Sequence, residues 1–182
     1  MKTDLSTYDN SWYRPGPPLK RFFWHYTNTI VFNSGIFPFY GLKIFLLKAF
    51  GAKVGQGVIV KPFVNIKYPW FLSIGNHVWI GENVWIDNLA DVTIGNNSCL
   101  SQGALLLTGN HDYTKSTFDL SIHSIILEDG VWIGAKAIVC PGVICKSHSV
   151  LMVGSVAMGN LEPYAIYNGN PAEKIKNRTI QV

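Results

Sequence analysis

From Val54 onward an aliphatic residue returns at every sixth position, usually with glycine next and a small or β-branched residue four places on. The pattern opens as Val54-Gly-Gln-Gly-Val-Ile and Val60-Lys-Pro-Phe-Val-Asn. After a short insertion it resumes as Ile74-Gly-Asn-His-Val-Trp, Ile80-Gly-Glu-Asn-Val-Trp and Ile86-Asp-Asn-Leu-Ala-Asp. It slips by two, continues as Ile94-Gly-Asn-Asn-Ser-Cys and Leu100-Ser-Gln-Gly-Ala-Leu, and then breaks for a longer excursion. Beyond it Leu127, Ile133, Val139, Cys145, Leu151 and Ala157 hold the frame unbroken. A period of six is not a helical face, whose period is about 3.6. It is the period of a chain that coils through three short flat strands and turns after each. The aliphatic side chain then points inward and stacks on its counterpart one coil away, so the array supplies the core. Gly or Asn at the corners suits turns that need a left-handed backbone. The spacing predicts an all-β parallel β-helix over 51–170, interrupted by a polar loop at 108–125.

Residues 1–50 lack the hexad and are rich in Trp, Phe, Tyr and Pro. Arg14-Pro-Gly-Pro-Pro reads as an extended linker, and Leu42 to Phe50 as a short helix with Lys43 and Lys48 on a narrow polar strip. Two arrangements fit this segment. It can cap the open end of the β-helix and cover an exposed edge, or residues 22–50 can make a peripheral contact with a membrane surface. A cap can do both. The stretch from Ile30 to Phe50 is apolar, but Asn33, Pro38, Gly41, Lys43 and Lys48 interrupt it. It falls short of the ~20 apolar residues of a spanning helix. Residues 171–182 read as a basic tail.

Composition narrows the function. A chain of 182 residues, 48% hydrophobic and 14% charged, is a folded domain with a small appendage. Its net charge of +4 is mild, and no dense Lys/Arg run points to nucleic acid. Three cysteines, Cys99, Cys140 and Cys145, have no metal-ligand spacing and read as buried thiols of a reducing compartment. With no apolar signal-peptide core at the start, the expected location is the cytoplasm, at the inner face of the membrane if the front segment docks there.

The hexads resemble the hexapeptide-repeat acyltransferases, whose fold is a left-handed parallel β-helix assembled as a trimer. Within that superfamily Gly51-Ala-Lys-Val-Gly, Val64-Asn-Ile-Lys-Tyr-Pro-Trp, Val84-Trp-Ile-Asp-Asn-Leu-Ala, Ser101-Gln-Gly and Thr108-Gly-Asn-His-Asp-Tyr are similar to the colanic-acid-biosynthesis type of O-acetyltransferase. The stretch Phe37-Pro-Phe-Tyr-Gly-Leu-Lys extends the likeness into the front segment. The resemblance implies acetyl-CoA as co-substrate, no metal, a saccharide acceptor in surface or exopolysaccharide biosynthesis, and a homotrimer with active sites between subunits.

On that resemblance His111, in the Gly-Asn-His step of the loop, is the catalytic base. Imidazole suits the task because it exchanges a proton near neutral pH. One ring nitrogen must stay free to accept while the other donates to a backbone carbonyl or a carboxylate, for which the adjacent Asp112 is a candidate. Asp87 and Asn88, with Gln102 and Tyr113 behind them, are the candidate acceptor-binding residues. Gly134, Ala135, Gly154 and Ser155 match the family's cofactor edge, and Lys174, Lys176 and Arg178 would meet the nucleotide phosphates. After Gly169-Asn-Pro-Ala the chain is expected to leave the β-helix. Met158-Gly159 and Glu173 depart from the family's Thr-Lys pair and basic residue, which weakens the phosphate contacts. His123 could face the site across a subunit boundary, whereas His77 and His148 fall in solvent-facing parts of their hexads. N-acetylation of an amino sugar would use the same His. A non-catalytic scaffold would keep the repeat but would not need the polar loop. The zinc carbonic anhydrases of this fold require a second histidine shortly after His111, and position 116 is Ser.

Overall fold

The structure, a computed structural model, describes residues 2–181. Its body is a parallel β-solenoid of about 6 turns. The first three coils run through Lys53–Val54, Ile59–Val60 and Asn65–Ile66, then Leu72–Ile74, Trp79–Ile80 and Trp85–Asp87, then Val92–Ile94, Cys99–Leu100 and Leu105–Leu107. Past the loop come Ile125–Leu127, Trp132–Ile133 and Ile138–Val139, then Ile144–Cys145, Val150–Leu151 and Val156–Ala157, and finally Ala165–Gly169. Strands stack into three flat faces, so the first of each coil pair with one another, as do the second and the third.

Register follows the hexad. Ile80 lies beside Leu100, Leu100 beside Ile133 and Ile133 beside Leu151. All four have no exposed surface. The same interior takes in Cys145, whose thiol burial pushes up to about 12. The glycines divide into two uses. Those after the aliphatic residue permit close approach of coils: a Cβ on Gly75 would lie 2.8 Å from the backbone nitrogen of Asn96. The left-handed backbone falls two residues later, at His77 (φ 56°) and Asn97 (φ 55°). Gly or Asn holds that corner conformation at Gly57, Asn83, Gly103 and Gly130 as well, as expected from the sequence.

The departures from the hexad share one corner. Between the third face and the first, residues 67–71, 88–91 and 108–124 are the links that exceed the frame. Asn88 spans two of them, donating to the Tyr68 carbonyl (2.6 Å) and accepting from its N–H (3.0 Å). Thr108 joins the next pair, giving its hydroxyl to the Asp87 carbonyl (2.9 Å) and accepting from the Ala90 N–H (3.1 Å). Insertions stacked this way satisfy backbone groups that would otherwise be stranded.

The front segment caps the first coil. Helix α1 (Pro18–Thr27) begins with proline at its first position, where the missing N–H costs nothing. It was not expected from the sequence. Helix α2 (Tyr40–Ala49) was, and it starts two residues before the expected Leu42 and ends one before Phe50. Carbonyls of the first coil have no preceding coil to accept from. Trp24 Nε1 donates to that of Ile66 (2.8 Å) and Lys43 Nζ to that of Lys61 (2.8 Å). Lys43 is therefore buried beneath the cap, not on a polar strip, and that burial lowers its pKa. At the other end the parallel coiling stops at Gly169, the step where the chain was expected to leave the β-helix. The chain reverses there, and Ala172–Asn177 runs back antiparallel to Ala165–Gly169, so the expected basic tail is an edge strand of the second face.

Trp24, 2% exposed, packs on Phe32 and Phe50 as well as donating to Ile66. Trp24→Ala should cost about 3–5 kcal/mol in denaturant unfolding. Trp24→Phe should cost about 1–3 kcal/mol, because it keeps the packing and strands the Ile66 carbonyl.

Candidate active site

The loop that interrupts the third coil is a hairpin. Gly109–His111 pairs antiparallel with Leu120–Ile122, and His111 stands opposite Leu120. Asp112 makes the turn that follows, accepting from the Thr114 hydroxyl and N–H. These hydrogen bonds, with the Lys115 ammonium nearby, hold its carboxyl below the usual carboxylate range. Lys115 in turn pairs with Asp119 at 2.9 Å. The turn brings Phe118 (φ 52°) back over His111, their rings stacked with centroids 4.3 Å apart. The Phe118 carbonyl lies 2.9 Å from His111 Nδ1. A carbonyl can only accept, so Nδ1 carries the hydrogen, which in the neutral ring leaves the lone pair on Nε2. Among the described residues Nε2 has no hydrogen-bond partner. The orienting group is thus a backbone carbonyl, and Asp112 is spent on the turn.

A cavity of ≈ 740 Å³ opens beside His111, with Tyr113 and Asp119 in its wall. Asp9 and Trp12 of the front segment complete it. That segment is tied down along the inserted corner. The Asp4 N–H donates to the Ser116 carbonyl (2.9 Å), and the Tyr8 ring lies 5.7 Å from that of His111. The Tyr13 hydroxyl donates to the Leu89 carbonyl (2.7 Å). Burial, aided by Tyr68 and Asp87, pushes the Tyr13 hydroxyl up, so it stays a donor. The sequence reading gave residues 4–13 no part, since no periodicity marks them.

Asp87 sits on the same corner one coil below the hairpin and is only 8% exposed. Its Oδ1 is 3.0 Å from Lys67 Nζ, yet it accepts no well-aligned hydrogen bond. Asn88 is fully buried with its amide engaged by Tyr68, so it shapes the corner and has no surface for a ligand. Gln102 lies on another corner, in a groove of the second face with Trp79, Cys99 and Ser101. His123 is exposed, with Nε2 3.1 Å from the Ser121 hydroxyl. His77 is likewise exposed, whereas His148 is half-buried against Tyr164. Among the described residues no group of three or more His, Cys, Asp or Glu is placed to hold a metal ion.

The chain is 32% identical over 166 residues to the Escherichia coli protein named colanic acid biosynthesis acetyltransferase WcaF, covering 91% of each. The chain belongs to the hexapeptide-repeat acetyltransferases. No family model matches it. It is 28% identical to galactoside O-acetyltransferase of Escherichia coli over 72% of this chain and 66% of that one. The fold matches a hexapeptide-repeat acetyltransferase from Vibrio cholerae solved with acetyl coenzyme A. The TM-score is 0.79 at 22% identity, covering 89% of this chain and 88% of that one.

In this hexapeptide-repeat acetyltransferase the residues expected at the cofactor edge share the corner between the second and third faces. The Gly154 N–H donates to the Ala135 carbonyl one coil away (2.9 Å). Gly154 is exposed, with nothing within 4 Å of where its Cβ would be. Gly134 and Ser155 answer to packing. A Cβ on Gly134 would meet the Val153 nitrogen at 2.6 Å, and the Ser155 hydroxyl donates to Asn168 (3.1 Å) and accepts from the Gly169 N–H (3.0 Å). The basic residues point elsewhere. Lys174 pairs with Glu162 at 2.7 Å, and Arg178 donates to the carbonyls of Gly130 and His148 at 3.0 Å each. Lys176 is exposed on the edge strand. Lys136, which the sequence reading passed over, is exposed on the Gly154 corner.

Phe118→Ala should leave the solenoid's melting temperature unchanged and lower kcat by roughly 10-fold. The imidazole would lose the ring that holds its plane while keeping its other ligands. Steady-state kinetics with a competent acceptor beside a thermal melt tests this.

Proposed function

We propose that the chain transfers an acetyl group from acetyl-CoA to a hydroxyl of a saccharide, in surface or exopolysaccharide biosynthesis, with His111 as general base. The observation that carries this reading is the Phe118 carbonyl on His111 Nδ1, which fixes the tautomer with Nε2 free to accept. The acceptor oxygen attacks the thioester carbonyl carbon as Nε2 takes its proton. The tetrahedral intermediate collapses with loss of the coenzyme A thiolate, and the imidazolium returns the proton to that sulfur. Tyr113 meets the acceptor from the rim of the cavity, and Asp87, paired with Lys67 through the buried Oδ1, offers its other oxygen to an acceptor hydroxyl. The polysaccharide context is drawn from WcaF, and the cofactor from the neighbour solved with acetyl coenzyme A. Gly154 and Ala135 offer the open edge for the pantetheine arm, with Lys136 beside them.

The active unit is a homotrimer with its sites between subunits. His111 and the Gly154 corner lie on different edges of the prism, with a face between them, so a neighbouring subunit supplies the missing partner. Self-association is also supported by the outer sides of two faces. The second carries Ile59, Trp79, Cys99 and Trp132 in register. The third carries Trp85, Leu105, Ile138 and Val156. The first carries Lys53, Ser73 and Thr93 over its lower coils and turns apolar at Ile126 and Ile144.

Calorimetric titration with acetyl-CoA should show that wild type and His111→Ala both bind, since a general base adds little to cofactor affinity. Turnover with a competent saccharide should fall ~10²–10⁴-fold in the variant. Absence of binding in both would leave a scaffold. A product that survives alkaline hydroxylamine, which cleaves acetyl esters, would make the acceptor an amine. Mixing inactive His111→Ala with inactive Ala135→Trp, then refolding together, should restore activity, because some interfaces then receive both intact halves. Restoration by neither mixing nor refolding would place the whole site in one subunit.

A further inference from the structure

The outer surface of the cap has two properties that its capping role does not require. The first is apolar exposure. Trp24 satisfies the inner side of α1, yet Phe22, Phe23, Tyr26 and Ile30 lie on its outer side and its continuation, each between 51% and 54% exposed. Phe39 and Phe45 of the second helical stretch are 67% and 66% exposed. Both helices lie across the same end of the solenoid, joined through Trp24 on Phe50 and Lys43 over Phe32. Soluble surfaces rarely leave so many large side chains bare at one end without a partner.

The second property is charge. Between Asp9 and Glu82 there is no acidic residue, but there are eight basic ones: Arg14, Lys20, Arg21, Lys43, Lys48, Lys53, Lys61 and Lys67. The remaining seven basic and all eleven acidic residues leave the rest of the chain at −4. The mild overall +4 thus conceals a molecule with a cationic end. Lys61 places its ammonium 5.6 Å from the exposed Tyr40 ring, on the rim of the aromatic surface. Lys20 stands 4.7 Å from Trp70 at the opposite corner. Lys43 is buried and Lys67 is paired with Asp87, so the other six basic residues set the field outside.

We propose that the cap is a docking surface for an anionic lipid bilayer, with α1 and α2 lying in the plane of the interface. Their aromatic side chains enter the headgroup and upper acyl region while the basic rim meets the phosphates. Helices with Phe, Tyr and Leu on one side and lysine or arginine around them bind membranes in this way, by buried apolar area plus attraction to anionic headgroups. No helix of the described residues is long and apolar enough to cross a membrane, which agrees with contact from one side. A second copy of the chain is the competing occupant. It is disfavoured because like cationic ends repel, and because the apolar rows in register for self-association lie on the sides of the solenoid.

The test is co-sedimentation of the full chain with vesicles of phosphatidylcholine alone and of phosphatidylcholine with phosphatidylglycerol, in low and high salt. The expected result is binding to the anionic vesicles that weakens with salt. Phe22→Ser with Phe45→Ser should lower partitioning roughly tenfold or more. Lys48→Glu with Lys53→Glu should lower it for anionic vesicles, and the salt dependence should shrink. All four positions are exposed, so thermal melts and acetyl transfer to a soluble acceptor serve as folding controls and should be unchanged. Failure of the wild type to bind either vesicle overturns the proposal, as does equal binding by the aromatic variant. If sedimentation velocity instead shows the aromatic variant dissolving an assembly larger than a trimer, the face belongs to a second copy.

Discussion

Ile80 rests on Leu100, Leu100 on Ile133 and Ile133 on Leu151, and the chain between each pair must close a full circuit to return to the same spot. That return constrains everything else. One extra residue inside a face would turn its row of aliphatics to solvent. Added chain can therefore enter only at corners, where direction changes and the alternation restarts. In this molecule the inserted links enter at a single corner. Their backbones then answer one another, Asn88 holding Tyr68 and Thr108 holding Asp87 and Ala90. A stack of insertions is cheaper than scattered ones because each supplies the hydrogen-bond partners of the next. The hairpin that carries His111 is the uppermost and longest of them.

A stack also has ends. In the parallel ladder each coil donates its N–H groups to the carbonyls of the following coil, as Ile59 does to Val78 and Trp79 to Ser98. The first coil is left with carbonyls that nothing in the solenoid reaches. Trp24 and Lys43 reach two of them, at 2.8 Å each. A lysine is a costly group to bury, and the depressed pKa of Lys43 records that cost. The donor it provides offsets the alternative, a carbonyl sealed under helices without a partner.

Legibility in the sequence tracked this physics closely. The hexad was readable because inward stacking repeats every six residues at positions such as Ile74, Ile80 and Ile86, and no other element imposes that period. His111 was readable because a repeat that stops draws attention to what replaces it. The orienting carbonyl of Phe118 was not, because a backbone group has no signature and its position depends on the turn built by Asp112 and Thr114. Helix α1 was missed although Leu19, Phe22, Phe23 and Tyr26 recur at helical spacing: that stripe faces out, and Trp24 alone faces the core. The basic strand was misread for another reason. Composition shows that Lys174 and Arg178 are cations, but only the reversal at Gly169 shows that they are aimed back at Glu162 and at the carbonyls of Gly130 and His148.

The cap and the wall of the His111 cavity are one continuous strap. Asp4 is fastened to the hairpin at Ser116, and Tyr8 lies against His111. Tyr13 is fastened to Leu89 one coil lower, and the Pro15 carbonyl accepts from Trp70 Nε1 (3.1 Å) in the insertion of the first coil. From there the chain enters α1 and covers the open end. The strap thus descends the inserted corner coil by coil, touching each link in turn. Its contacts with the hairpin are the Asp4 hydrogen bond and the Tyr8 ring, whereas α1 is anchored by the buried Trp24. Asp9 and Trp12 are thus held between two fastenings to the inserted corner, Asp4 on Ser116 and Tyr13 on Leu89, before the chain reaches the anchor at Trp24. The solenoid's capped end and the wall of the pocket are built by one stretch of chain that carries no repeat, held in place by the links it crosses.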